Sequence, residues 1–460
     1  MEGAVANVQI KPGVFRAYDI RGLVDKDFNE SWVECLGKAC GTYYLARGIK
    51  SAVVAHDCRA SSPLYNNALI KGLLSTGVDV VSVGQVATPV FYFAVVHFNM
   101  QGGVMITASH NPPQYNGFKI WGGNSTLHTE EIQDLRKVME RGEFASGQGL
   151  LTHHDIVPSY IEAVLQRETL ARPLKVVVDG GNGVGGDLCA EILRRMGVQV
   201  VEQFCEPDAT FPNHHPDPTV EQNMLLLRRR ILEEGADFGI GLDGDSDRLG
   251  VMDENGRLLY GDELLALFAR DLLAQKPGST VMGEVKCSHL LYQDIAEHGG
   301  EPLMWITGHS IMKAKMHAIG AALAGEMSGH MFFNEGWFGF DDAIYGAARF
   351  VAIFSRQHKP LSALPGWPRT SKTPEIHVSC PDELKFAVVD KAKAFFREKY
   401  KTTEIDGVRI TFSDGWGLIR ASNTQPVLVL RFEATTDERL AEIQAIMQEP
   451  LQAWIKEGVN

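Results

Sequence analysis

A hydroxyl on a stiff turn is the first group in this sequence whose setting could do chemistry. In Val104-Met-Ile-Thr-Ala-Ser109-His110-Asn111-Pro-Pro113 an apolar strand runs into a polar loop, and the two prolines block any helix. Proline fixes φ and disfavours αR in the residue before it, so Ser109 is expected on a rigid turn at a strand's end. A hydroxyl held there can act as a nucleophile or as the carrier of a transferred group. Alone, the stretch reads equally well as an ordinary polar loop.

Three further stretches carry matching chemistry. Asp243-Gly-Asp245-Ser-Asp247-Arg248 follows the apolar run Phe238 to Leu242, and alternate carboxylates on a tight turn offer hard oxygen ligands to a divalent ion. The spacing argues against an EF-hand, because Arg248 stands where the sharp turn needs Gly and the preceding segment is strand-like. Three carboxylates so close repel unless a cation neutralises them, and Mg²⁺ suits a site that keeps a position for a phosphate oxygen. Gly325-Glu326-Met-Ser328-Gly-His330 sets a carboxylate, a hydroxyl and an imidazole on a turn, a set able to hydrogen-bond vicinal sugar hydroxyls; it is not a G-x-S-x-G nucleophile elbow. Arg420-Ala-Ser422-Asn423-Thr424 offers a guanidinium, two hydroxyls and loop amides, which match a phosphate dianion.

Gly181-Asn-Gly183-Val-Gly-Gly186 supports a rival function. It fits G-x-G-x-x-G between a strand and a helix, with Glu202 closing the next strand, and so points to a dinucleotide-binding oxidoreductase. Neither the acidic triplet nor the Ser-His-Asn loop has a task in hydride transfer. His153-His154 and His214-His215 raise a zinc reading, but adjacent residues of an extended segment point opposite ways, and no Cys or Glu stands at ligand spacing. They read as solvated loop residues.

A recurring unit positions these loops. Ser51 to Ala55 reads as a strand, His56 to Ser62 as a loop, Pro63 to Thr76 as a helix stopped by Gly77, and Val78 to Val83 as a strand. The same order returns over Lys175 to Glu202 and over Thr280 to Thr307. Loops at the carboxyl ends of such strands bind ligands in open α/β sheets. His56-Asp-Cys-Arg59, Asp179-Gly-Gly-Asn182 and Gly283-Glu-Val-Lys286 fall there. Beyond Pro365-Gly-Trp-Pro368, which reads as a linker, strands and two helices suggest a fourth, α+β unit.

Bulk properties narrow the function classes. At 460 residues, about 150 per domain gives three or four domains. The net charge of −13 argues against non-specific binding to nucleic acid or anionic lipid, while leaving room for a locally basic cleft. Seven scattered Cys without a CxxC read as reduced thiols of a cytoplasmic protein, and neither a signal peptide nor a membrane-length apolar run is found.

Taken together and in order, Thr107-Ala-Ser-His-Asn-Pro112, Asp243-Gly-Asp-Ser-Asp-Arg248, Gly325-Glu-Met-Ser-Gly-His330 and Arg420-Ala-Ser-Asn-Thr424 resemble the motifs of the α-D-phosphohexomutase family, bacterial phosphomannomutase/phosphoglucomutase type. Phe15-Arg-Ala-Tyr-Asp-Ile-Arg-Gly22 is similar to its amino-terminal signature. The resemblance implies three related α/β domains with mixed sheets (1–152, 153–255 and 256–367) and a C-terminal α+β domain like the TATA-box-binding protein (368–460), around a central cleft. It implies interconversion of hexose 1- and 6-phosphates of mannose and glucose, through a phosphoserine and a hexose 1,6-bisphosphate. Ser109 would carry the phosphoryl group and, with Asp243, Asp245 and Asp247, hold Mg²⁺. Arg21, His110, Lys119 and His309 would surround the reacting oxygen, with either Lys119 or His309 moving the proton. Arg248 would lie near that oxygen and bind substrate, Tyr18 and Lys286 would line the cleft, and Thr307 and Gly308 would bind substrate. Glu326 and Ser328, with His330 beside them, would take sugar hydroxyls, and Arg420, Ser422, Asn423 and Thr424 the idle phosphate. Glucose 1,6-bisphosphate is the implied activator, phosphorylated hexoses are the implied partners, and a monomer is expected. Ser246 departs from the Gly often found there, and Met327 stands where the alternative, phosphoglucosamine mutase, typically has Gln.

Overall fold

The computed structural model describes residues 8–422 and 426–458. Its backbone builds four sheets, of seven, five, four and six strands. In the first, Ser51–His56 lies parallel to both Asp79–Gln85 and Gly102–Ile106, and Tyr115–Gly122 returns antiparallel beside Gly102–Ile106. The second repeats this plan: Lys175–Asp179 is parallel to Gln199–Gln203 and to Phe238–Leu242, which pairs antiparallel with Leu249–Asp253. The third does so again, with Thr280–Glu284 parallel to Glu301–Trp305 and Leu323–Gly325, and Met331–Phe333 antiparallel to the latter. The sheets are therefore mixed, as the resemblance implies, and topologically related, as the repeat of strand, loop, helix and Gly predicts.

This topology has a consequence for function. In each sheet the third parallel strand turns straight back through a hairpin, and those hairpin turns are residues 107–114, 243–248 and 326–330. They are the serine, acidic and Glu-x-Ser-Gly-His loops, presented at the carboxyl ends of equivalent strands. The loop after the first parallel strand of each unit lies beside them at the same edge.

The strands read as continuous apolar runs because both faces are covered; Val104, Met105 and Ile106 are fully buried. One apolar core runs through the first three sheets. The helix Thr88–His97, begun by Pro89 in its first turn, sends Tyr92 against Phe340 and Phe93 against Trp337, so the first and third units share side chains. The helix Ala343–Ser355 starts at Asp342, whose carboxylate accepts from Tyr345 N.

The last sheet is wholly antiparallel and packs beneath helices Asp382–Arg397 and Asp437–Glu457, with its own core around Val388, Phe396, Leu430 and Met447. Its hairpin Gly415–Ala421 and Val427–Ala434 carries the arginine loop, and a small cluster of Val285, Trp416 and Leu418 joins it to the third unit. Leu151–His153 pairs with Asp79–Gln85, so the first sheet extends across the expected limit at 152/153. All seven cysteines are free thiols, six of them buried. Among the described residues no helix is long and apolar enough to cross a membrane.

Candidate active site

Ser109 sits on the expected turn after its strand, in the left-handed region at φ 50°. For a residue with a Cβ this costs on the order of 1–3 kcal/mol, so the surroundings must enforce it. They do so from three sides. Ser109 N donates to Thr107 Oγ1 (2.9 Å), Arg59 Nη2 donates to Ser109 O (2.8 Å), and the turn at Gly244 lies so close that a Cβ there would meet Ser109 O at 2.5 Å. The hydroxyl, 2% exposed as a residue, donates to Asp243 Oδ2 at 2.7 Å and lies 3.1 Å from His110 Nδ1. Burial, then Arg248 and Arg21, hold the His110 imidazole well below its ordinary pKa.

Asp243, Asp245 and Asp247 are all fully buried, with one oxygen of each within 4.8 Å of the others. Asp245 Oδ1 and Asp247 Oδ1 have no hydrogen-bond partner among the described residues. Buried carboxylate oxygens are seldom left so, and a hard dication meeting three oxygens is what the donor set fits. Burial pushes the Asp243 carboxyl well up, and Asp245 and Asp247 push it further. Asp245 goes the other way: burial opposes its ionisation, but Lys119 and Thr88 hold it below the usual range. Lys119 Nζ lies 2.8 Å from Asp245 Oδ2 and also pairs with Asp247 Oδ2. Burial would lower its pKa, yet Asp245, Asp247 and Asp341 keep the ammonium protonated. Ser246, between Asp245 and Asp247, takes φ 60°, which explains why a Gly suits that position.

The third loop joins through Arg248, whose Nε donates to His330 Nε2 at 3.2 Å; the proton thereby assigned to His330 Nδ1 faces Asp341 Oδ2 (3.3 Å) and Asp247 Oδ1 (3.5 Å). Glu326 Oε1 accepts from Gly308 N (2.6 Å), and Ser328 Oγ lies 3.5 Å from Glu326 Oε2. Burial raises the Glu326 carboxyl. His309 stacks on His330, with its Nδ1 3.4 Å from Lys313 Nζ; burial and that ammonium hold its imidazole well below the usual value, hence neutral. Gly308 has φ 135°, and a Cβ there would run into the Tyr18 ring, whose hydroxyl donates to Thr307 O (3.0 Å). Arg21 donates to Asn111 Oδ1 (2.9 Å) and pairs with Asp19.

On the fourth unit, Arg420 Nε donates to Asp406 Oδ2 (3.0 Å), which also accepts from Thr307 N (3.1 Å), so one carboxylate spans the seam between third and fourth units. Lys286 Nζ reaches Glu375 Oε1 across the same seam at 2.6 Å. Ser422 begins the loop at 7% exposure, while Asn423 and Thr424 lie outside the described residues.

The described residues expected at the site are thus gathered at one place. Others there went unread in the sequence. Arg59, Thr88, Glu284, Asp341 and Asp406 carry no motif, although Arg59 and Glu284 fall in the strand-end loops singled out above. Glu284, fully buried, accepts from Thr307 Oγ1 (2.5 Å), Lys286 N (3.1 Å) and Met327 N (3.1 Å), and so ties three loops of the third unit together. The Gly181–Gly186 loop has no room for a dinucleotide: a Cβ at Gly183 would meet Gly244 O at 2.7 Å and one at Gly185 would meet Ser246 Oγ at 2.5 Å, so its glycines seat the acidic turn. Glu202 pairs with Arg194. One histidine reading needs correction: His214 is not a solvated residue, because its Nε2 lies 3.0 Å from the buried Asp179 carboxylate and its side chain is 11% exposed.

Sequence comparison agrees with this geometry. Models of the phosphoglucomutase/phosphomannomutase α/β/α domains I, II and III match residues 12–146, 158–256 and 260–368, and that of the C-terminal domain matches 375–449. A phosphomannomutase/phosphoglucomutase of Pseudomonas aeruginosa is 45% identical over 443 residues, 96% of each chain. A phosphoglucomutase of Neisseria gonorrhoeae is 43% identical over 94% of this chain and 95% of its own. The crystal structure of a phosphoglucomutase/phosphomannomutase family protein from Burkholderia thailandensis matches with TM-score 0.92 at 41% identity, covering 98% of this chain and 99% of that one. Fold and site define a phosphohexomutase, and the chain belongs to the phosphoglucomutase/phosphomannomutase family. Within that family it is of the bacterial type, an isomerase that moves a phosphoryl group between two positions of one hexose.

Proposed function

We propose that this enzyme interconverts the 1- and 6-phosphates of glucose and mannose, with Ser109 as the temporary phosphoryl carrier. The observation that supports it most is the Ser109 hydroxyl, fixed in a left-handed turn 2.7 Å from the first of three buried aspartates. Phosphoserine 109 gives its group to the free hydroxyl of a bound hexose phosphate. The resulting 1,6-bisphosphate turns over in the cleft and returns its other phosphoryl group to Ser109. Such transfer depends on in-line placement and charge neutralisation more than on covalent help.

A phosphate dianion on Ser109 would meet three carboxylates, so Asp243, Asp245 and Asp247 are assigned to Mg²⁺, which when bound supplies the charge that lets phosphate and carboxylates coexist. Arg21 and Lys119 neutralise the transferring group. The substrate hydroxyl's proton goes to His309, held neutral by its setting, rather than to Lys119, whose ammonium is bound between two carboxylates. His110 steadies the Ser109 oxygen. Glu326 and Ser328, with His330 beside them, take the sugar hydroxyls away from C2, which is why glucose and mannose would both serve. Tyr18, Arg248, Lys286, Thr307 and Gly308 line the sugar, and Arg420, Ser422, Asn423 and Thr424 grip the idle phosphate. Four functional domains (1–152, 153–255, 256–367 and 368–460), a cytoplasmic monomer and activation by glucose 1,6-bisphosphate complete the reading, with neither nucleic acid nor membrane as partner.

Peptide mass spectrometry before and after glucose 1,6-bisphosphate tests it, paired with Ser109→Ala. Phosphate on the 107–113 loop and loss of isomerisation in the variant are expected. Undiminished isomerisation of glucose 1-phosphate by Ser109→Ala would refute it.

A further inference from the structure

Arg59 stands in the loop between the strand Ser51–His56 and the helix Ser62–Leu74, and nothing in the phosphoryl chemistry above uses it. Its side chain is wholly buried, with all five of its N–H donors engaged. Nε donates to Asp57 Oδ2 (3.1 Å). Nη1 donates to the carbonyls of Pro112 (2.8 Å) and Tyr115 (3.0 Å), and Nη2 to those of Ser109 (2.8 Å) and Asn111 (2.6 Å). Asp57 is itself fixed, because its Oδ1 accepts from Arg59 N (2.9 Å) and Ser62 Oγ (2.6 Å). Phe211, from the second unit, covers the guanidinium at 5.2 Å.

Four carbonyls of one short loop thus converge on a single planar fork. Two of them belong to the residues whose geometry the site depends on: Ser109, left-handed at φ 50°, and Asn111, whose side chain accepts from Arg21. Prolines 112 and 113 restrict φ but cannot turn the Ser109 carbonyl inward. We propose that Arg59 is a positioning residue for phosphoryl transfer, a buried clamp that imposes the left-handed turn at Ser109 and so aims its Oγ at the metal site and the substrate. This rests on Ser109 being the phosphoryl carrier. Lys cannot replace Arg here, since an ammonium has three donors, no plane, and cannot span four carbonyls.

The test is Arg59→Lys in the full-length enzyme, with circular dichroism for folding, kcat and KM for glucose 1-phosphate, and the rate at which glucose 1,6-bisphosphate phosphorylates Ser109. A displacement of Oγ by around 1 Å is expected to lower kcat by about 100-fold, with Ser109 phosphorylated correspondingly slowly. KM should stay within about 3-fold, because the proposed phosphate and sugar contacts, Tyr18 apart, lie on other units. Should Arg59→Lys not fold, Asp57→Asn leaves the guanidinium in place but weakens its aim, and about a 10-fold loss of kcat at unchanged KM is expected. A folded variant of either kind with kcat within 2-fold of wild type overturns the clamp, as does lowered thermal stability with kcat intact. Mapping the phosphate in the wild type separates the two claims: with phosphate on Ser109, a fully active Arg59→Lys removes the clamp alone, whereas phosphate elsewhere removes the carrier and the clamp together.

Discussion

Replacing Lys119 by Met should turn the acidic loop into a site that depends on its metal. The ammonium lies 2.8 Å from Asp245 Oδ2 and also pairs with Asp247, with all three side chains at 2% exposure or less. At an effective dielectric near 20 each such pair is worth about 4 kcal/mol of direct attraction at 4 Å, and removing one partner of a buried pair costs about 3–5 kcal/mol once the abandoned charge is counted. Asp243 resists ionisation already, so protonation there absorbs part of the excess and the lower end of that range is expected. The same excess negative charge favours a dication. Competition by the lysine for Asp245 Oδ2 and Asp247 Oδ2 disappears, and even about 1.4 kcal/mol of that difference raises Mg²⁺ affinity tenfold. Isothermal titration of metal-free protein with MgCl₂ reads this directly, while hydrogen exchange over residues 243–248 in EDTA reads the loosening. Turnover should still fall, by about 100-fold or more, because the ammonium also offsets charge on the transferring group. Unchanged or weaker Mg²⁺ binding in the variant would show that the three aspartates are not a metal site held in balance by Lys119.

Three further outcomes follow from other parts of the molecule. Glu284→Ala removes the shared acceptor of Thr307 Oγ1, Lys286 N and Met327 N, so KM for glucose 1-phosphate should rise about tenfold or more in steady-state assays, with a smaller change in kcat. Lys313→Met deletes the ammonium that helps keep His309 neutral, so the acid limb of the kcat–pH profile should move up toward the ordinary imidazole value; an unmoved limb would take the proton role from His309. Asp342, buried as the cap of the helix Ala343–Ser355, has its carboxyl pushed up to about 7 from an ordinary 3.8. Its folded form favours the proton, so the cost of charging it begins above pH 3.8 and is complete above about 7, on the order of 4 kcal/mol. Asp342→Asn should therefore raise thermal stability more at pH 8 than at pH 5, as scanning calorimetry would show.

Much of this was legible in the sequence because the chemistry is local. The carboxylates of 243–247 and the hydroxyl at 109 sit on hairpin turns, where neighbours in the chain are neighbours in space. The repeat of strand, helix and Gly placed three strand-end loops correctly. What the sequence hid is how each unit supports its hairpin from the loop after its first parallel strand. Arg59 holds the serine turn by its carbonyls, the glycines at 183 and 185 make room for the acidic turn, and Glu284 holds Met327 N of the sugar loop. An arginine, two glycines and a glutamate do one architectural task, and nothing in residue type reveals that they share it. The dinucleotide pattern at 181–186 misleads for the same reason, since its glycines are spaced for close packing rather than for a pyrophosphate. Asp406 had no signal at all, as its partners Thr307 and Arg420 come from separate units, one a loop of the third and one a strand of the fourth.

The pairing of charge around the cleft bears on how a bisphosphate could turn over without escaping. Among the described residues each of these site cations has an acidic partner: Arg21 has Asp19, Lys119 has Asp245 and Asp247, Lys286 has Glu284 and Glu375, Arg248 has Asp217 and Asp243, and Arg420 has Asp406. If these cations bind phosphate as proposed, an incoming phosphate would share or displace a carboxylate at each contact, and each guanidinium or ammonium would already have given part of its attraction to a partner. Bare cations would hold both ends of a 1,6-bisphosphate too firmly for either to let go. Partly neutralised ones hold several weak contacts at once, and one end can be released while the other stays bound. The pairs Arg420–Asp406–Thr307 and Lys286–Glu375 add a second effect, because they tie the fourth unit to the third, and phosphate bound there as proposed would compete with them. On that reading, grip on the idle phosphate and the position of the fourth unit would be the same equilibrium.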